Sequence, residues 1–243
     1  RLEGQNTAFL EFGTANAKTI TLSFYVKSSV TGTFSGALQN GASNRSYPYN
    51  YTINTADTWE YKTATITGDT TGTWATDNTK SHQIIWSLGN SSDRAATVNA
   101  WGDGQMWGST TGTANTLGTL NATWFITGVQ LEVGEAATSF EHRSYGDELR
   151  KCQRYRYQID LGNSTAPSHI VMTRFEGGSG VAYASIHFPC EMRANPNFSF
   201  TGGTLSSSGY AGNPVLNRAT KSSCDIKSTR SVSASNTVYL RAI

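Results

Sequence analysis

Residues 124–157 read WFITGVQLEVGEAATSFEHRSYGDELRKCQRYRY, and two different periods meet within them. From Phe125 the apolar residues Phe125, Val129, Leu131 and Val133 are interleaved with Gln130 and Glu132, the two-residue period of a strand with one buried face. Gly134 ends that pattern. Beyond it Leu149, Cys152, Tyr155 and Arg156 fall three or four apart behind Ser144. Acidic Asp147 and Glu148 come first and basic Arg150, Lys151, Arg154 and Arg156 last, the charge order that a helix macrodipole favours. This predicts a short helix or helical turn over 144–157 that carries the chain from one β domain into another.

The rest of the chain divides at the same place. All six Trp lie between Trp59 and Trp124. Residues 1–145 hold 8 basic and 11 acidic side chains, net −3, whereas residues 146–243 hold 11 and 6, net +5. With 243 residues, two ordinary domains each have chain enough to bury a core. We therefore expect a domain over 1–143, a linker helix or turn over 144–157 and a smaller domain over 158–243. Neither half has the Lys/Arg run or aromatic signature of a nucleic-acid binder, so no nucleic-acid partner is expected. No apolar run approaches the length of a membrane span, and no membrane insertion is expected. Arg1 is not an initiator methionine, so a segment upstream of it is expected. Three Cys, at 152, 190 and 224, are too few for a disulfide framework, and reduced, mostly buried thiols are expected, with a Cys190–Cys224 bridge left open.

Charged residues make up only 15% of the chain while Gly reaches 24, and Thr, Val, Tyr and Phe suit pleated, half-buried surfaces. The prediction is an all-β protein. Residues 19–27 place Ile20, Leu22, Phe24 and Val26 on one strand face and Thr19, Thr21, Ser23, Tyr25 and Lys27 on the other. Alternation resumes through Phe34, Gly36 and Leu38 and meets the turn dipeptide Asn40-Gly41, which predicts a hairpin. Tyr47, Tyr49, Tyr51 and Ile53 recur every second residue, and Pro48 among them favours an edge strand. Residues 59–66 alternate again, and 82–88 read as a central strand. In the first domain Ile20, Leu22, Phe24, Val26, Val129 and Leu131 are expected to share the core of an antiparallel β-sandwich. In the second half, 155–161, 169–175, 181–188 and 237–243 read as strands, with Gly177-Gly178 as a hairpin turn. Residues 99–118, with Trp101 and Trp107 among many glycines and no period, are expected to form a long ordered loop.

Several stretches carry a resemblance. The run Ile126-Thr127-Gly128-Val129-Gln130-Leu131-Glu132-Val133-Gly134, then Ala137-Thr138, Phe140-Glu141, Arg143-Ser144-Tyr145-Gly146, Glu148-Leu149 and Cys152-Gln153-Arg154-Tyr155, is similar to a recurrent segment of tail-fibre and related appendage proteins of tailed bacteriophages, especially marine ones. Leu2-Glu3-Gly4-Gln5-Asn6 running into 19–27, and Asp57-Thr58-Trp59-Glu60-Tyr61-Lys62 running into Asp69-Thr70-Thr71-Gly72, resemble the jelly-roll domain that precedes that segment. The resemblance covers about the first two thirds of the chain. It implies an N-terminal antiparallel jelly-roll β-sandwich, a short linker helix and a smaller C-terminal antiparallel β domain. It also implies a place in the virion, other virion proteins as partners, and threefold assembly, with Leu149, Cys152 and Tyr155 at the oligomer interface of a homotrimer. Jelly rolls of the carbohydrate-binding kind often hold a structural calcium, for which Asp103 or Asp77-Asn78 would supply oxygens; capped turns are the commoner use of such residues, and no cofactor is expected.

Catalytic chemistry leaves no trace in the sequence. There is no GxSxG, no HExxH and no phosphate-cradling glycine loop. Glu60, Asp69, Asp77, Asp93 and Asp103 are scattered over separate segments, and the four His are unclustered, so no catalytic or metal residue is assigned. The expected activity is recognition of a host-surface polysaccharide or glycan without catalysis. Sugar rings present CH-rich faces to aromatic side chains while amides and hydroxyls read their edges. Tyr47, Tyr49, Tyr51, Trp101 and Trp107, with Asn44, Arg45 and Gln105 nearby, are the candidate ligand-binding residues. A purely structural virion protein, such as a capsid decoration or head fibre, and a sugar-active enzyme are the alternatives.

Overall fold

In a computed structural model of the chain, the described residues are 1–89, 91–160, 162–163, 166–167, 174–176, 181–201, 206–207, 210–211, 215–229 and 237–241. They form two compact units, Arg1–Glu141 and His142–Ile243. Both are built of β-strands in mainly antiparallel sheets, with one α-helix among the described residues, so the protein is all-β. That helix falls within the second unit.

In chain order the first unit carries β1 (Leu2–Glu3), β2 (Ile20–Ser28), β3 (Gly32–Asn40), β4 (Arg45–Ile53), β5 (Glu60–Ile66), β6 (Lys80–Ser87), β7 (Ala95–Ala96), β8 (Gly102–Asp103), β9 (Gly108–Ser109) and β10 (Trp124–Val133). A five-stranded sheet runs β1-β6-β3-β4-β8 and a three-stranded sheet runs β10-β2-β5. The hairpin expected at Asn40-Gly41 is the β3–β4 pair. Pro48 sits where β4 has no further ladder strand, since β8 reaches only Arg45 and Ser46, and its carbonyl instead accepts the Asn99 N–H at 2.8 Å. The two sheets bury a common core. Ile20, Leu22, Phe24, Val26 and Ile66 from the three-stranded sheet meet Phe34, Leu38, Tyr47, Tyr49, Tyr51 and Ile53 from the five-stranded one.

One core assignment is corrected by the geometry of β10. Between Thr127 and Gln130 the register with β2 slips by one residue, so Trp124, Ile126 and Leu131 pack against the core while Val129 is exposed. Gly128 has φ +58° there, the left-handed conformation a glycine bulge requires. An unbroken period-two reading puts Val129 and Leu131 on one face. A bulge residue changes parity and turns Val129 outward.

The second unit opens with α1 (Tyr145–Gln153). Ser144 caps it, its Oγ accepting the Asp147 N–H at 3.2 Å, and Asp147 and Glu148 occupy the first turn as the macrodipole favours. Then follow β11 (Arg156–Asp160), β12 (Gly162–Asn163), β13 (Ala166–Pro167), β14 (Arg174–Glu176), β15 (Val181–His187), β16 (Asn197–Thr201), β17 (Ser206–Ser207), β18 (Tyr210–Ala211), β19 (Val215–Ala219), β20 (Ser223–Thr229) and β21 (Thr237–Arg241). Sheets of order β14-β15-β20-β19 and β11-β21-β16 carry most of it, and Ala184, Ile186, Cys224 and Ile226 are buried together. The Gly177-Gly178 turn and residues 169–173 of an expected strand lie outside the described residues. All three Cys are free, and the expected burial holds for Cys224 alone: Cys152 is exposed on α1 and Cys190 is half-buried. No residue of α1 is buried, because nine residues at its length present little area to the sheets beside it.

Candidate functional site

The tyrosine face of β4 is not a platform. Tyr47, Tyr49 and Tyr51 are only 3%, 1% and 5% exposed, because the side of β4 that carries them is the side facing the other sheet. Their cross-strand partners on β3 are Leu38, Gly36 and Phe34. Tyr51 stacks on Phe34 with centroids 5.6 Å apart and meets Phe24 edge-on at 5.2 Å. Tyr49 lies over Gly36, where a Cβ would come within 2.5 Å of its ring, and its hydroxyl donates to the Ile85 carbonyl at 2.9 Å. The opposite face of β4 is covered by the long loop: Ser46 Oγ donates to the Gly104 carbonyl at 2.6 Å and the Ser109 hydroxyl bonds Asn50.

Asn44, Arg45 and Trp101 are likewise absorbed into structure. Arg45 grips Asp69 with two hydrogen bonds, Nη2 to Oδ1 at 2.7 Å and Nε to Oδ2 at 3.1 Å, and reaches Asp103 through Nη1 at 2.8 Å. Asp69 is buried and also accepts the Thr71 N–H, the Thr71 hydroxyl and the Trp74 indole N–H. Burial pushes the Asp69 carboxyl up, but Arg45 and these donors outweigh it and hold the group below the usual carboxylate range. Trp101 packs on Tyr47 at 5.2 Å and Trp74 at 5.6 Å, its indole donating to the Thr67 carbonyl. Asn44 holds the β3–β4 turn through Asn40. Sequence distance hides this network: Arg45, Asp69 and Asp103 lie on three segments that only the sheet topology brings together. Asp103 Oδ1 accepts from Arg45 and Asp77 Oδ1 caps a turn by accepting from the Thr79 N–H and hydroxyl, so one oxygen of each aspartate named for calcium is engaged by a protein donor.

Two expected residues stay at the surface. Trp107 is exposed, with the Arg94 guanidinium 5.4 Å from its ring, and Arg94 also donates to the Gln105 carbonyl at 3.3 Å and side-chain oxygen at 3.4 Å. This is one ring with a cation on it.

A larger aromatic surface lies on the outward face of the β10-β2-β5 sheet. In one cross-strand row Lys27 stands opposite Phe125, with Trp59 just ahead of β5 on its other side. In the next row Tyr25 faces Tyr61, ring centroids 5.0 Å apart, and Phe140 approaches Tyr25 over Gly128. Trp59, Tyr61, Tyr25, Phe125 and Phe140 are each 41–47% exposed. The remaining rows, polar Ser23, Thr21, Thr63, Thr65, Gln130 and Glu132, are crossed by the segment that follows β10. Thr21 Oγ1 donates to the Gly134 carbonyl at 2.7 Å, Thr65 Oγ1 to that of Glu135 at 3.2 Å, and the Glu141 N–H to Gln130 Oε1 at 2.8 Å. The returning segment thus covers the polar half of the face and leaves the aromatic half open. These rings were missed because they come from segments distant in sequence, around Tyr25, Trp59 and Tyr61, Phe125, and Phe140. The available signal was the polar-side position of Tyr25 in 19–27, next to Trp59 and Tyr61 at the start of another alternating run.

The chain matches no protein-family model, no curated protein and no solved structure. No helix among the described residues is long and apolar enough to cross a membrane.

Proposed function

We propose that this chain is a non-catalytic binding module of a bacteriophage virion appendage, with the jelly-roll connectivity implied by its resemblance to tail-fibre proteins, and that it attaches the particle to a host-surface glycan. The observation that carries the reading is the open aromatic half-face of Trp59, Tyr61, Tyr25, Phe125 and Phe140. Isolated exposed apolar residues are ordinary, but three rings on one sheet with Trp59 and Phe140 beside them form the contiguous kind of patch that marks an interaction surface. Rings held on paired strands are pre-organised, so little side-chain freedom is lost when a sugar stacks on them. The module needs no cofactor, and its affinity at the virion surface comes from several weak contacts multiplied over copies.

Adsorption of the fluorescently labelled chain to a panel of marine bacterial strains tests this. Retention on cells, abolished by periodate oxidation of their surface glycans and by the Trp59→Ala/Tyr61→Ala double substitution, is the expected result. Adsorption to none of the strains transfers the chain to the structural class, and release of oligosaccharide transfers it to the enzymes.

Assembly is the second part of the reading. On α1 and just beyond it Leu149 and Tyr155 are 40% and 41% exposed and Cys152 is exposed beside them. A homotrimer, the symmetry common among the fibres that the sequence resembles, would bury this stripe around its axis. Light scattering is expected to give three times the 26.2 kDa chain mass, with Leu149→Glu shifting it toward the monomer. A monomeric mass for the parent chain at micromolar concentration overturns this arrangement.

A further inference from the structure

The aromatic half-face carries one charged group, and it is a cation. The Lys27 ammonium lies 5.6 Å from the Trp59 ring centroid and 5.0 Å from that of Phe125, between the two rings of its row. Among the described residues no carboxylate forms an ion pair with it. None of the nearby acids pairs with it. Glu60 belongs to the opposite side of β5, where Lys62 holds it at 2.6 Å and the Asn54 and Thr55 N–H groups donate to it. Glu132 stands at the far end of the face and accepts from Thr138. Asp57, in the turn before Trp59, makes no ion pair with Lys27. A surface with stacking rings and a central positive charge that no carboxylate pairs complements a ligand that is apolar on the faces of its rings and negative at their rim.

From this the geometry points to an anionic saccharide as the ligand of this face: a sugar ring stacks on Trp59 or Phe125 while its carboxylate or sulfate reaches the Lys27 ammonium between them. This rests on the glycan-binding function proposed above and names the class of glycan. Cross-strand neighbours about 4.8 Å apart and rows about 7 Å apart along the strands let the two rows serve adjacent sugars of one chain. The charge adds affinity because the rings shield the ammonium on two sides, so an incoming anion meets a partly desolvated cation.

The test is affinity electrophoresis of the full chain through gels containing polygalacturonate, alginate or carrageenan, with dextran and methyl-esterified polygalacturonate as the neutral counterparts. Retardation is expected in at least one acidic gel and in neither neutral one. Lys27→Gln should weaken it about tenfold, as loss of one charged hydrogen bond does. Trp59→Ala and Phe125→Ala should weaken it at least as much, and Trp107→Ala should leave it unchanged. Equal retardation by polygalacturonate and its methyl ester, or retention unaffected by Lys27→Gln, overturns the anion and leaves a neutral-glycan module. Retention insensitive to Trp59→Ala, or lost in Trp107→Ala, overturns the face itself. Retardation in no gel by a chain that still adsorbs to periodate-sensitive cells overturns the anionic class alone, whereas loss of both removes the proposed function with it.

Discussion

Arg45→Met is expected to lower the unfolding free energy by about 3–5 kcal/mol, the usual consequence of stripping one partner from a buried ion pair. Asp69 is 1% exposed and the Arg45 side chain only 16%, so removing the guanidinium leaves a carboxylate that water reaches poorly. The remaining Thr71 and Trp74 donors cannot supply the charge. The network also holds the long loop, because the same guanidinium reaches Asp103 on β8 and lies 5.9 Å from the Trp101 ring. Urea denaturation followed by tryptophan fluorescence checks this. The double substitution Arg45→Met/Asp69→Leu should cost clearly less than the sum of the single changes, since it removes the stranded charge along with the pair. Additive losses would show that Arg45 acts through its aliphatic packing instead. The acid response follows from the same geometry. The Asp69 carboxyl titrates below its ordinary value in the folded chain, so its contribution is present above the unfolded value and is lost as pH falls through the folded one, a window at and below about pH 4.

A second loss of stability is expected at milder acidity, and it belongs to His82. The ring is 1% exposed, lies 4.4 Å from Trp74 and 4.9 Å from Phe12, and neither nitrogen has a hydrogen-bond partner. Burial alone drives its pKa down to about 4. The unfolded chain, with an ordinary imidazole near 6.5, therefore binds a proton that the folded chain refuses throughout the interval from about pH 6.5 to 4. Stability from the neutral buried form is complete above that interval and falls as pH decreases through it, by about 3 kcal/mol in all at about 1.4 kcal/mol per unit. Thermal unfolding between pH 7 and 4 reads this directly. His82→Leu should flatten the profile across that interval while leaving the more acidic limb of Asp69 in place. At neutral pH the variant should be no less stable, because two unpartnered buried nitrogens are exchanged for apolar volume. An unchanged slope in His82→Leu would place the titrating group elsewhere.

By itself the sequence determined what local periodicity and local chemistry decide. Alternation in 19–27 specified the four core residues of β2, Asn40-Gly41 specified the β3–β4 hairpin, and Ser144 with Asp147 and Glu148 specified the start of α1. Each depends on residues a few positions apart, and their energetics act within one turn or one strand. Parity was beyond it. Period two shows that Tyr47, Tyr49 and Tyr51 share a side of β4 but not which side faces the second sheet, and a single bulge at Gly128 reverses the assignment of Val129. Only the tertiary structure decided the Arg45–Asp69–Asp103 network and the Trp59–Lys27–Phe125 row, because each joins three segments distant in the chain. Which rings remain open is a matter of which face is already covered: the loop of 99–118 closes over the outer side of the five-stranded sheet, and the segment after β10 closes over half of the three-stranded one. Covering is a property of how non-local segments pack, and no window of sequence contains it.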